Sequence, residues 1–185
     1  MPMPMRGHVE LIAGGMYSGK TEELIRRLTR AKIAKQRCGV FKPLRDTRQA
    51  GVASRCGTSL EAVTLVRATD LLEHAKDLDV VGIDEGQFFD EGLRDVAFEL
   101  ARRGKRVMIA FLNADYAARP FPSVSPLYAV AADITLLRAI CVRCGAEASC
   151  SQRLTAAREQ VAVGDTETYE ARCIRCFEPP ADALP

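Results

Sequence analysis

Val9-Glu10-Leu11-Ile12-Ala13 runs directly into Gly14-Gly15-Met16-Tyr17-Ser18-Gly19-Lys20-Thr21. The second piece reads G-x-x-x-x-G-K-[ST], a loop that wraps phosphate groups. It lies between an apolar run and a helical pattern beginning at Thr21. Strand, glycine-rich loop and helix is the setting in which this motif works. Gly14, Gly15 and Gly19 let the backbone curl so that N–H groups from Gly14 through Met16, Tyr17 and Ser18 to Thr21 face a polyphosphate. The helix N-terminus adds the positive end of its dipole. Lys20 is placed to reach the outer phosphates, and the Thr21 hydroxyl to ligate Mg²⁺.

Around this loop the chain alternates strand and helix. Val9–Ala13 predicts a first strand. Thr21 to about Lys35 predicts a helix, with Leu24, Leu28 and Ala31 on one stripe. Its other face carries Arg26, Arg27, Arg30, Lys32 and Lys35, read as a solvated face. Val40–Lys42 is a short second strand. Residues 43–58 show no apolar period and read as a long loop. Further strands are expected at Ala62–Val66, Val80–Ile83 and Arg106–Leu112. Helices are expected at Ala68–Lys76, with Thr69 or Asp70 near its N-cap, and at Asp90–Arg103, stopped by Gly104. Each helix acts as a crossover, so the strands run parallel.

The strand Val80-Val81-Gly82-Ile83 ends in Asp84-Glu85. In an open parallel sheet the carboxyl ends of the strands face the ligand crevice. Asp84 is therefore a candidate for holding Mg²⁺, directly or through water. Glu85, one residue on, is a candidate base for an attacking hydroxyl or water. The pair gains its weight from the phosphate loop upstream.

Near the C-terminus, Cys141-Val-Arg-Cys144 and Cys173-Ile-Arg-Cys176 form two C-x-x-C knuckles with 28 residues between them. Four thiolates close a tetrahedral Zn²⁺ site, which leaves no open position and so reads as structural. The gap exceeds the usual ribbon spacing, so a loop must protrude between the knuckles. Cys38, Cys56 and Cys150 are left over as free thiols.

Composition bounds the rest. The chain has 185 residues, 48% hydrophobic and 27% charged, with a net charge of +2. That length holds one core plus an appendage. The balance gives no sign of a nucleic-acid or membrane partner, and no apolar run approaches the roughly 18 residues needed to span a bilayer. Residues 1–6 lack the apolar stretch of a signal peptide. Seven cysteines, an odd number, argue for a reducing compartment, read as the cytoplasm.

Residue chemistry alone reaches Mg²⁺-dependent phosphoryl transfer. A GTPase would need N-K-x-D, and Asn113-Ala-Asp115 lacks both the lysine and the spacing. A nucleoside monophosphate kinase with a four-cysteine lid would carry that lid mid-chain. A zinc-ribbon ATPase acting on nucleic acid would be more basic, with aromatic residues interleaved through 141–176.

Taken in order, the three elements resemble the zinc-containing (type II) thymidine kinases. Met16 with Ser18-Gly19-Lys20-Thr21, Asp46-Thr47-Arg48, Ile83-Asp84-Glu85-Gly86-Gln87-Phe88-Phe89, Leu112 to Phe121, and Gly164 to Tyr169 before the second knuckle all match segments of that family. The resemblance implies a phosphate-loop NTPase-like α/β domain over residues 1–137, its parallel sheet covered by helices on both faces. It implies a small zinc-ribbon-like domain over 138–185 carrying a lasso loop. Glu85 would be the catalytic base. ATP would be held by the loop, by Asp46, Thr47 and Arg48, and by Asp84 and Gln87. Met16, Phe88, Leu112, Tyr116, Phe121 and Tyr169 would line the thymine pocket, with Gln160, Val161, Ala162, Val163 and Gly164 gripping the base. A homotetramer and inhibition by the end-product triphosphate are also implied. Asn113 stands where the family usually has Asp, Tyr116 where it has Phe, and Pro122 where Gly is common.

Overall fold

A computed structural model describes residues 7–44, 52–53, 59–155 and 167–181. Asp46, Thr47, Arg48, Cys56 and the stretch Gln160 to Gly164 lie outside the described residues. In chain order the main domain holds β1 (His8–Gly14), α1 (Lys20–Ile33), β2 (Cys38–Pro43), β3 (Val52–Ala53), β4 (Ser59–Leu60), β5 (Val63–Leu65), α2 (Leu71–His74), β6 (Val80–Ile83), α3 (Leu93–Arg102), β7 (Arg106–Leu112) and β8 (Asp133–Leu137). Six of these strands form one sheet in the order β5-β2-β6-β7-β1-β8. Every pairing in it is parallel.

Two apolar layers cover the sheet. On one face Leu24, Ile25, Leu28 and Ala31 of α1 pack on Ile12, Val40, Val80, Met108 and Ala110. On the other, Leu71 of α2 and Leu93, Val96, Ala97 and Leu100 of α3 pack on Leu11, Phe41, Val81, Ile83, Val107 and Ile109. The central strands alternate side chains between these layers, which is why β6 and β7 read as continuous apolar runs.

The structure amends several expected elements. The predicted loop over 43–58 contains β3, paired antiparallel with β4. The Ala68–Lys76 helix is a 3₁₀ turn at Ala68–Asp70 leading into the four-residue α2. α3 begins at Leu93 rather than Asp90, because the Asp90 carboxylate accepts the N–H groups of Gly92 and Ala68, both at 2.9 Å. Such an Asx turn satisfies the backbone before the helix starts. The sixth strand, β8, was not anticipated. It pairs with β1 at the sheet edge, and Ile134 and Leu136 on it are exposed.

The basic face of α1 is only partly solvated. Arg27 donates to Glu10, Glu23 and Thr135, each at 2.7 Å. Glu10 is 5% exposed and also takes hydrogen bonds from Arg106 and His8. Burial works against its charge, yet the donors from Arg106, His8 and Arg27 hold its carboxyl down at about 2.

After β8 come β9 (Ala139–Ile140), β10 (Glu147–Ala148), β11 (Cys150–Arg153) and β12 (Tyr169–Arg172), as two antiparallel pairs, β9 with β10 and β11 with β12. No helix among the described residues is long and apolar enough to cross a membrane.

Candidate active site and cysteine cluster

The loop between β1 and α1 emerges at the carboxyl end of the sheet. Gly19 sits at φ +82°, a left-handed conformation that glycine adopts without cost, and it leads directly into α1. Lys20 is buried, and its Nζ donates to the Gly15 carbonyl at 2.8 Å, so the cation folds back over the loop. Thr21 donates its hydroxyl to Asp84 Oδ2 at 3.0 Å. The first turn of α1 and the end of β6 thus meet through two oxygen-bearing side chains, a hard-donor pair suited to Mg²⁺. Burial, with Glu85 beside it, pushes the Asp84 carboxyl up to about 7.

Glu85 lies at φ 51°, ψ 40°, in the left-handed region that non-glycine residues avoid. Strain of this kind gathers where geometry serves function. Its carboxylate accepts a hydrogen bond from Gln87 Nε2. The Gln87 carbonyl oxygen Oε1 accepts the Leu112 N–H at 3.0 Å, and its backbone carbonyl accepts the Ser123 hydroxyl at 2.9 Å. Gln87 therefore braces Glu85 against the end of β7. Asn113, next along, donates its N–H to the Gly14 carbonyl at 3.3 Å. Its Oδ1 is buried without a hydrogen-bond partner among the described residues.

Aromatic residues flank this end of the sheet. Phe88 and Phe121 meet edge to face at 6.5 Å. Tyr116, on the loop after β7, and Tyr169, on β12, both pack against Arg153 of β11, whose guanidinium carbon lies 3.6 Å from the Tyr116 ring centroid.

The phosphate loop is clasped from its far side by the C-terminal segment. The Met16 N–H donates to Ser151 Oγ at 3.0 Å, and the Tyr17 hydroxyl to the Tyr169 carbonyl at 2.9 Å. A Cβ on Gly15 would lie 3.3 Å from the Ser149 carbonyl, so the approach is close. Tyr17 packs its ring against the small cluster of Ala139, Cys141, Ala148, Ala171 and Cys173.

In that cluster the sulfurs of Cys141, Cys144, Cys173 and Cys176 all lie within 4.8 Å of one another. Each knuckle closes a tight turn: the Gly145 N–H reaches the Cys141 carbonyl at 2.9 Å, and the Cys176 N–H the Cys173 carbonyl at 3.0 Å. Tetrahedral zinc with sulfur at about 2.3 Å sets sulfurs about 3.8 Å apart, so the four thiols fit such an ion with little movement.

The thymidine kinase family model matches residues 7–177. This chain belongs to the thymidine kinase family. A thymidine kinase of Rhodothermus sp. (strain ITI 518) is 49% identical over 176 residues, covering 94% of this chain and 83% of the relative. Those of Bacteroides fragilis and Chloroflexus aurantiacus are 45% and 46% identical, again over 94% of this chain and over 88% and 95% of their own lengths.

The structure gathers Lys20, Thr21, Asp84, Glu85 and Gln87 at one end of the sheet. Two backbone or side-chain groups of the phosphate loop face elsewhere: the Met16 amide is held by Ser151, and the Tyr17 ring by the cysteine-rich segment. Sequence reading missed Ser151 and Arg153. Both lie on β11, within the gap between the knuckles, and neither belongs to a motif; Ser151 reaches Met16 across 135 positions, and Arg153 meets Tyr116 and Tyr169 from other segments.

Proposed function

We propose that the chain transfers the γ-phosphoryl group of ATP to the 5′-hydroxyl of thymidine, yielding dTMP and ADP. The observation that carries this reading is the meeting of Thr21 and Asp84 at 3.0 Å, beside Glu85, in a chain of this family. It joins a phosphate-binding helix terminus to a carboxylate pair at the carboxyl end of a parallel sheet.

Residue roles follow from the chemistry. Loop amides other than that of Met16 cradle the phosphates, and Lys20 swings from the Gly15 carbonyl to the outer ones. Thr21 and Asp84 would hold Mg²⁺, which when bound offsets charge on the phosphate oxygens. An alkanol is a weak nucleophile at neutral pH. Glu85 accepts its proton as the new P–O bond forms, and Gln87 keeps that carboxylate aimed. Met16, Phe88, Leu112, Tyr116, Phe121 and Tyr169 wall the nucleoside and exclude water that would hydrolyse ATP. Asp46, Thr47, Arg48 and Gln160 to Gly164 complete the two sites in this reading.

Zinc is the metal we assign to the four cysteines, in a structural role, because thiolate sets of this number and spacing select it. The exposed apolar residues Ile134 and Leu136 on the edge strand β8 support self-association, and a homotetramer is the assembly we infer. Thymidine salvage in the cytoplasm for DNA synthesis, with inhibition by the end-product triphosphate, completes the proposal.

Incubation with γ-labelled ATP and thymidine should give labelled dTMP. Label passing instead to added dTMP or AMP, giving labelled dTDP or ADP with thymidine untouched, would indicate a monophosphate kinase.

A further inference from the structure

Arg153 ends β11, in register with Tyr169 on β12. It is only 7% exposed. Its guanidinium carbon lies 3.6 Å from the ring centroid of Tyr116 and 5.2 Å from that of Tyr169, two rings from separate parts of the chain. Nη2 and Nε also donate to the Tyr169 phenolic oxygen, at 2.5 and 3.2 Å. Burying a guanidinium is costly, and an apolar side chain would fill the same space with less desolvation. What an apolar residue lacks is direction. A planar cation fixes the ring beneath it face-on, and its fork fixes a hydroxyl in the same plane.

We propose that Arg153 is a positioning residue of the acceptor pocket. It locks Tyr116, from the loop after β7, to Tyr169, from β12, and so sets the shape of the aromatic wall that meets the nucleoside. The inference rests on the reading of Tyr116 and Tyr169 as nucleoside walls. It assigns Arg153 to nucleoside affinity rather than to phosphoryl transfer. The donor site is insulated from a change at Arg153, because the Tyr17 tie runs to the backbone carbonyl of Tyr169, which the β11–β12 ladder holds independently.

Steady-state kinetics of the full chain, with thymidine and ATP varied in turn, tests this. Arg153→Met should raise KM for thymidine about tenfold to a hundredfold, the range of a desolvated cation–π contact plus charged hydrogen bonds. kcat should stay within about threefold and KM for ATP within about twofold, since neither the base nor the phosphate loop is touched. Arg153→Lys should fall between Met and wild type, keeping charge but losing the plane. Tyr116→Phe keeps the ring face that Arg153 packs on and should raise thymidine KM less than Tyr116→Leu does. Tyr116→Leu should reproduce much of the Arg153→Met defect, and the double variant should fall well short of the product of the two, because both lose the Arg153–Tyr116 contact while Arg153→Met also loses the hydrogen bonds to Tyr169. If Arg153→Met does not fold, the contrast between Tyr116→Phe and Tyr116→Leu, with Arg153→Lys, decides the matter. Thymidine KM within about threefold of wild type in both Arg153→Met and Tyr116→Leu would overturn the inference, as would defects that simply multiply. So would a fall in kcat with thymidine KM unchanged. A wild-type chain that phosphorylates no thymidine would overturn the functional reading and this inference with it, whereas normal wild-type turnover alongside any of those patterns overturns this inference alone.

Discussion

Tyr17 donates its phenolic hydroxyl to the backbone carbonyl of Tyr169 at 2.9 Å, across 152 positions of sequence. One residue lies in the phosphate loop and the other on the strand leading to the second cysteine knuckle. With the Met16–Ser151 bond and the packing of the Tyr17 ring on Cys141 and Cys173, it makes the cysteine-rich segment a brace for the donor site.

Tyr17→Phe should remove that hydrogen bond and keep the ring. A loss of about 1 kcal/mol in stability is expected, with KM for ATP raised by severalfold as the loop loosens. Thermal melting and ATP kinetics check it. Normal stability together with normal KM for ATP would show that the brace does not shape the loop.

Glu85→Gln should preserve fold and ATP binding while lowering kcat by about 10²–10⁴-fold, the usual contribution of a general base. Single-turnover rates with saturating thymidine isolate the chemical step. Retention of more than about a third of wild-type turnover would remove Glu85 from the base role.

Loss of the metal proposed for the four cysteines should act at both substrate sites. Elemental analysis should find about one zinc per chain under reducing conditions. Cys173→Ser should lower the melting temperature and raise KM for ATP and nucleoside together, since Tyr17 and Tyr169 are both anchored beside the cluster. A zinc-free preparation with full activity would refute the site.

Much of the fold is legible in the sequence because its signals are local. The apolar run before Gly14, the stripe Leu24–Leu28–Ala31 and the apolar strand before Asp84 each declare an element from neighbouring residues alone. Paired knuckle spacing likewise brings four cysteines together without reference to the sheet. Strand β8 is not legible, because Ile134 and Leu136 alternate with polar residues at an exposed edge and form no buried run. Arg27 reads as a surface charge because its partner Glu10 lies on another element. Arg153 gives no local signal at all; its contact with Tyr169 needs β11 paired with β12, and its contact with Tyr116 needs β11 docked beside the loop after β7.

Glu10 sets an acid limit on stability. Its folded carboxyl is held at about 2, against an ordinary value of 4.5, by Arg106, His8 and Arg27 despite its burial. A lowered carboxylate contributes fully above its unfolded value and is lost as pH falls through the folded one. Stability should therefore decline between pH 4.5 and about 2, by about 3 kcal/mol from this group. Urea melts across that range for wild type and Glu10→Gln measure it. Glu10→Gln should be less stable at neutral pH and should show a flatter acid limb. Parallel curves for the two proteins would mean the carboxylate is not the titrating group.

Thymine presents an acceptor at O4 and a donor at N3, and cytosine reverses both. A pocket built for the first leaves two buried mismatches with the second, enough for about 10⁴-fold discrimination, whereas the thymine methyl contributes at most about 10–200-fold. Measuring kcat/KM at fixed ATP for thymidine, deoxyuridine and deoxycytidine tests this most directly. Thymidine should come first, deoxyuridine lower and deoxycytidine about 10⁴-fold down; deoxycytidine within about tenfold of thymidine would contradict recognition of the thymine edge.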